Sequence, residues 1–337
     1  MFTSKFAFRA GLVLLAILSV VPLCGSVTLQ DPPEPDEKQV QAAIAKGIAF
    51  LKSQQRDGKW EKSVIFRSNS NYPGGVTALA MAALLEAGVK PDDEAIAKGI
   101  EFVRKLPPRD TYVVALQTLV LSQVDPKKDL KTIQRNVEWI KQTLKRDRSG
   151  NLNGWSYPGR GFETDNSNTQ FAVFALHVAA RAGAEVDERL WREIRFFYVQ
   201  SQLSNGGWQY RASSPIDRLA MTSAGICGLL IAANHLPDKD PASEKAIARG
   251  LERVDESFTI EYPKWRFYNL WCLARRNRLL GKTAFNGRKA SDYDWYRLGT
   301  EYLLKTQSRD GSWQSEDEID GHPLVATSFA LLFFGKR

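Results

Sequence analysis

Residues 165–170 read Asp-Asn-Ser-Asn-Thr-Gln and stand directly before the apolar run "FAVFALHVAA". Two kinds of chemistry suit such a cluster. Asp165 can cap a helix, with Asn168 and Gln170 bonding its neighbours. The same groups, set at the mouth of a cavity, could hold a polar ligand or take part in acid–base work if a second group faces them. Partners available elsewhere in the chain are Asp110, Asp217, Tyr268 and His322. Carboxylates contributed by different helices could cleave a glycosidic bond, given the right separation. Tyr112, Trp265, Tyr268 and Trp271 also fall at or near the starts of apolar runs. Aromatic faces there could stabilise a cation, stack on a sugar or serve as ordinary packing.

Other chemistries are excluded by pattern. The chain has no G-x-x-x-x-G-K-[ST], no G-x-S-x-G and no H-E-x-x-H, so phosphate-loop, serine-hydrolase and zincin readings fall away. "PDDEAI" at 91–96 lacks the last carboxylate of a D-D-x-x-D diphosphate–magnesium motif. His177 lies on an apolar stripe and reads as a core residue, while His235 reads as a helix-end residue. Cys227 and Cys272 each sit inside an apolar helical run and read as two buried thiols, with a disulfide between them as the alternative that export would permit. The sequence therefore gives no reason to expect a metal or any cofactor.

The elements that must position these residues come in two kinds. "AIAKGIAFL" at 43–51 returns as "AIAKGIEFV" at 95–103 and as "AIARGLERV" at 246–254. Ile44, Ile48 and Leu51 fall on one stripe with Lys46 outward, which is an amphipathic helix. Six such helices are expected near 37–55, 91–105, 127–145, 186–202, 241–257 and 291–307. Between them lie segments such as "GGVTALAMAALLEAG" and "LAMTSAGICGLLIAA", nearly free of charge. A helix apolar on every side must be buried on every side. Strict alternation of six outer and six inner helices predicts an all-α fold, a closed α/α toroid, in which neither end is a polar capping repeat.

The outer helices end in a repeated turn. Gln54, Gly58 and Trp60 have the spacing Q-x-x-x-G-x-W, as do Gln202, Gly206 and Trp208, and Gln307, Gly311 and Trp313. The glycines can take the left-handed conformation that stops a helix. The glutamines can bond free backbone groups, and the tryptophans can cover those bonds. "RDRSGNLNGW" at 146–155 reads as a longer, decayed copy. These are structural staples before they are sites.

These turns on alternating helices resemble the QW repeats of squalene and oxidosqualene cyclases, whose toroid protein prenyltransferase β subunits share. The resemblance covers residues 37–337, and the closing stretch, from "RFYNLWCLARRNRLLG" at 266–281 to "TSFALLFF" at 327–334, is similar to secreted bacterial proteins with prenyltransferase and squalene oxidase repeats, which imply no settled activity. In the cyclases the middle Asp of D-x-D-D protonates an alkene. The resemblance lays that motif on Asp165, Asn166, Ser167 and Asn168, so the acid position falls on Ser167, a hydroxyl unable to do that work. Prenyltransferases hold zinc with Asp, Cys and His. His322 resembles the histidine of that set, but no D-x-C accompanies it, so no zinc is expected.

The first 26 residues, with Lys5 and Arg9 before "GLVLLAILSVVPL", have the order of a signal peptide and predict a secreted or periplasmic protein with no membrane span after cleavage. Residues 27–36 form a Pro-rich spacer, and 37–337 the toroid domain. The net charge of +8 is spread along helices, apart from "RRNR" at 275–278, and reads as solvated faces rather than a nucleic-acid surface. Two functions follow. One is an exported toroid without the cyclase acid or the zinc set, binding a lipid-like, glycan or peptide ligand at its central cavity. The other is an enzyme using the rim residues named above.

Overall fold

The computed structural model describes residues 35–61, 72–157, 159, 161, 163–262, 264–281, 295–316 and 320–335. The expected signal peptide and nearly all of the spacer lie outside them. Six helices are amphipathic: α1 (Glu37–Ser53), α3 (Glu94–Arg104), α5 (Pro126–Thr143), α7 (Glu188–Gln200), α9 (Pro241–Ser257) and α11 (Trp295–Thr306). Six alternate with them and are buried almost all round: α2 (Gly75–Glu86), α4 (Thr111–Val124), α6 (Asn166–Arg181), α8 (Leu219–Asn234), α10 (Arg266–Leu280) and α12 (Pro323–Phe334).

Start signals differ between the two sets. Asp36, Asp93, Asp125 and Asp240 each cap an outer helix through the side chain, and Pro126 and Pro241 follow two of them at the first helical position. There the missing N–H costs nothing and the fixed φ suits the helix. Inner helices start less regularly, on Gly74, Asp110, Asp165, Arg218, Trp265 and His322, of which only Asp165 and His322 cap through their side chains.

The inner helices pack in chain order, α2 on α4, α4 on α6, α6 on α8, α8 on α10 and α10 on α12, and α12 returns to α2. The chain is a closed α/α toroid. Outer helix α1 completes the wall by packing on α2, α11 and α12. One short hairpin, β1 (Lys145–Arg146) with β2 (Leu152–Gly154), interrupts the all-helical pattern. It occupies the decayed copy of the turn, and α5 ends two residues short of the expected 145.

The repeated turn and the repeated helix motif prove to be two halves of one joint. Trp60, Trp155, Trp208 and Trp313 are fully buried, and each indole N–H donates to an outer-helix carbonyl, at Leu51, Ile140, Tyr198 and Leu303, over 2.7–3.0 Å. Each backbone N–H donates to a threonine on the following inner helix: Thr77, Thr169, Thr222 and Thr327. The glutamine then reaches the next outer helix. Gln202 Nε2 donates to Ala246 O and Gln307 Nε2 to Ala43 O, both within the "AIA(K/R)G" motif. In the first joint Gln55, not the expected Gln54, donates to Ala95 O, while Gln54 bonds its neighbour Ser53. Gly311 shows why this turn requires glycine: φ is +89°, and a Cβ there would lie 2.4 Å from Lys46 O. Since Gln307 and Gly311 meet α1, this joint ties the last outer helix to the first and closes the ring.

Candidate functional site

The first turns of the inner helices meet at one end of the ring. There Asp165 caps α6. Its Oδ1 accepts from Ser167 Oγ at 2.6 Å, from Asn168 N at 2.8 Å and from Asn168 Nδ2 at 3.1 Å, and its Oδ2 accepts from Asn168 Nδ2 at 2.9 Å. Asp165 is 3% exposed, so both oxygens are committed to its own helix turn. Asn168 keeps one buried acceptor, Oδ1, without a donor. Asn166 ties this turn to the loop after Trp208 by bonding Gln209 O and Tyr210 O.

Below this cap side chains meet across the lumen. Gln170 Nε2 donates to the Tyr268 hydroxyl and approaches Cys272 Sγ at 3.7 Å. These bonds cross the ring, because α6 and α10 are separated by α8. Rings interlock around them: Tyr112–Phe171 at 4.2 Å, Phe171–Trp271 at 5.1 Å, Tyr268–Phe329 at 5.6 Å and Trp271–Phe329 at 5.6 Å. Offset and tilted contacts at these distances stabilise by dispersion and quadrupole alignment beyond simple burial. Burial pushes the Tyr112 and Tyr268 phenols well above their ordinary values, and the Cys272 thiol up to about 12. All three are neutral donors at any ordinary pH.

The remaining predicted partners lie apart from this cluster or do other work. Asp217 accepts a two-pronged pair of bonds from Arg253, at 2.8 and 3.1 Å, and a third from Asn205. Burial raises its pKa, but the bonds from Arg253 and Asn205 outweigh this and hold the carboxyl low. It clamps the turn before α8 onto α9. His322 caps α12, its Nδ1 accepting from Leu324 N at 3.3 Å. Asp110 is half-buried at the start of α4, and its carboxylate makes no hydrogen bond among the described residues. Burial pushes its pKa up against the pull of Arg109.

Sequence reasoning missed three residues here. Tyr157 and Tyr210 flank the Asp165 cap, and burial first, with the Asp165 charge adding to it, pushes both phenols up. Each stands two residues after a repeat tryptophan, Trp155 or Trp208, and that offset was the available signal. Asp320, fully buried, accepts from Tyr268 N at 3.0 Å. Around the rim, Tyr72 meets Tyr157 at 5.6 Å, and the guanidinium groups of Arg211 and Arg218 lie 5.1 and 5.0 Å from the Tyr210 ring. No group of three or more His, Cys, Asp or Glu among the described residues could hold a metal ion. None of their helices is long and apolar enough to cross a membrane. A separate groove of about 450 Å³ opens at the opposite end, lined by Glu37, Val40, Glu86, Tyr296 and Phe334 among others.

No protein-family model and no curated protein matches the sequence. Solved structures do match in fold. The type II terpene cyclase MstE from Scytonema is 16% identical, with a TM-score of 0.55 over 89% of this chain and 98% of that one. A variant of that cyclase in complex with geranylgeranyl dihydroxybenzoate is 14% identical, with a TM-score of 0.55 over 88% and 97%. A possible member of the GH105 family from Salmonella enterica serovar Paratyphi A is 11% identical, with a TM-score of 0.57 over 93% and 97%. Identities this low establish the α/α toroid, a terpenoid cyclase-like fold, and nothing of the chemistry.

Proposed function

We propose that this protein is an exported α/α toroid that binds a glycan at the tyrosine-lined end of the ring and does not protonate or cyclise a substrate. One observation carries the reading. The carboxylate at the position where the toroidal cyclases keep their acid motif is committed to Ser167 and Asn168, above the cluster of Gln170, Tyr268 and their aromatic neighbours. Protonating a polyprene needs a free carboxylic acid, and both Asp165 oxygens are already bonded within their own helix turn. A sugar needs aromatic faces flanked by fixed polar groups. Tyr72, Tyr157 and Tyr210 are half-buried rather than sealed, and Asn168, Arg211 and Arg218 stand nearby. Export is supported by the order of residues 1–26.

The experiment is mass spectrometry of molecules retained by protein purified from its native compartment, followed by calorimetric titration of the glycan found. Tyr210→Ala should weaken that binding about tenfold or more. Retention of a lipid or a peptide instead of a glycan would overturn the choice of ligand.

A second reading rests on Asp110. A half-buried carboxyl with a raised pKa and no hydrogen bond is suited to general-acid work. If the protein is a rim enzyme, Asp110→Asn should abolish turnover of the retained glycan while leaving its binding intact.

A further inference from the structure

Deeper in the lumen, one helical turn below the aromatic cluster, α10 carries Arg275. Its guanidinium lies 4.1 Å from the centroid of Phe174 on α6 and 5.2 Å from that of Trp271. The residue is 5% exposed, and its Nε and Nη1 are buried with no acceptor. Aromatic faces satisfy the flat side of a guanidinium but not the N–H groups at its edge. Arg276, 3% exposed, adds another unmet nitrogen: its Nε and Nη2 donate to Asn277 Oδ1, and Nη1 has no partner. The hydroxyls of Tyr198 on α7 and Ser223 on α8 are also buried without a partner.

The sequence reads its basic residues as solvated faces, but Arg278 is part-buried and caps α12, donating to Leu332 O, Phe333 O and Gly335 O. Arg275 and Arg276 are neither solvated nor in an ion pair with a described carboxylate. Arg104 shows the usual solution, a two-pronged pair with Asp129 at 2.9 and 3.0 Å. Asp255 acts on Arg276 through its charge, and the nearby thiols add none. Burial raises the pKa of both Cys227 and Cys272, the latter to about 12, so both thiols are neutral. Burial lowers Arg276 to about 10, which still leaves it protonated at neutral pH. An uncompensated charge in such surroundings is costly unless something pairs with it.

We propose that the lumen binds a small oxyanion, a carboxylate or a phosphate group, on Arg275 between α6, α8 and α10. Arg276 adds long-range attraction to the same ligand. The site is distinct from the rim, and it stands whether or not the rim binds a glycan. An oxyanion there would convert orphaned N–H groups into charge-assisted hydrogen bonds, which are stronger and shorter than neutral ones.

The test is thermal unfolding of the full chain, titrated separately with inorganic phosphate and with acetate, against sodium chloride of equal ionic strength. A saturable rise in Tm with either probe is expected, since a ligand held only by the folded state stabilises it by mass action. A response to phosphate alone assigns a tetrahedral anion, and to acetate alone a carboxylate. In Arg275→Met the apparent affinity should fall about tenfold to hundredfold, with a Tm in chloride no lower than that of the wild type. Arg275→Lys, which keeps the charge but loses the planar fork, should respond more weakly than wild type. It serves as the comparison if the Met variant does not fold. The proposal is overturned if neither probe moves the wild-type Tm beyond the chloride control. It is equally overturned if a folded Arg275 variant responds as the wild type does.

Discussion

On the outer wall, three joints use the same atoms in the same order: a glutamine amide to an alanine carbonyl on the next outer helix, an indole N–H to the preceding outer helix, and a tryptophan amide to a threonine. In the lumen no contact repeats. Gln170 meets Tyr268 and Phe174 meets Arg275, each pairing once. Repetition marks where the chain solves a general problem, the docking of one helix pair on the next. Singular polar contacts in a lumen have no such structural excuse, since an apolar core would be cheaper. That contrast is why the rim and Arg275, rather than the more conspicuous Gln-Gly-Trp turns, carry the functional proposals.

The contrast can be broken at the joints first. Trp313→Ala removes a fully buried indole from the ring-closing joint and should cost about 3 to 5 kcal/mol in denaturant melts. A stability indistinguishable from wild type would mean that the indole is not a staple.

A second test concerns the histidine pair, His177 and His235, whose rings meet at 2.9 Å between Nδ1 and Nε2. Burial, His235, Arg181 and Arg275 lower the His177 pKa to about 4 from an ordinary 6.5. The unfolded chain then binds the proton more readily, so the contribution is fully present above the unfolded pKa and lost as pH falls toward the folded one. Stability should drop by about 3 kcal/mol between these limits, and His235, also lowered by burial, acts in the same direction. His177→Gln should flatten that slope in urea melts at pH 7 and pH 5. An unchanged slope would show that His177 is not the group responsible.

The smallest effect sharpens the joint itself. Gln55→Ala should cost about 1 kcal/mol and Gln54→Ala less than about 0.5 kcal/mol. Equal losses would remove the one-residue slip at the first joint.

These residues also mark what could be read in the sequence. The alternation of helices was legible because an all-round apolar segment has only one place to go. The staples were legible because Q-x-x-x-G-x-W is local. The slip to Gln55 was not, since both residues are glutamine and only the distance to Ala95 separates them. Nor was the pairing of the turn with the "AIA(K/R)G" motif, because the two halves lie about 40 residues apart, or at opposite ends of the chain for Gln307 and Ala43. Lumen contacts were the least legible. Gln170 and Tyr268 are 98 residues apart, and nothing local distinguishes an arginine facing the lumen from one facing water.

The central claim is that this end of the ring binds and does not protonate. It is tested most directly by incubating the protein with squalene and with geranylgeranyl diphosphate, then analysing the extracts by gas chromatography–mass spectrometry. The account predicts no cyclic product above a boiled control. Cyclic product that disappears in Asp165→Asn would contradict it, because a carboxylate bound by Ser167 and Asn168 would then be serving as the acid after all.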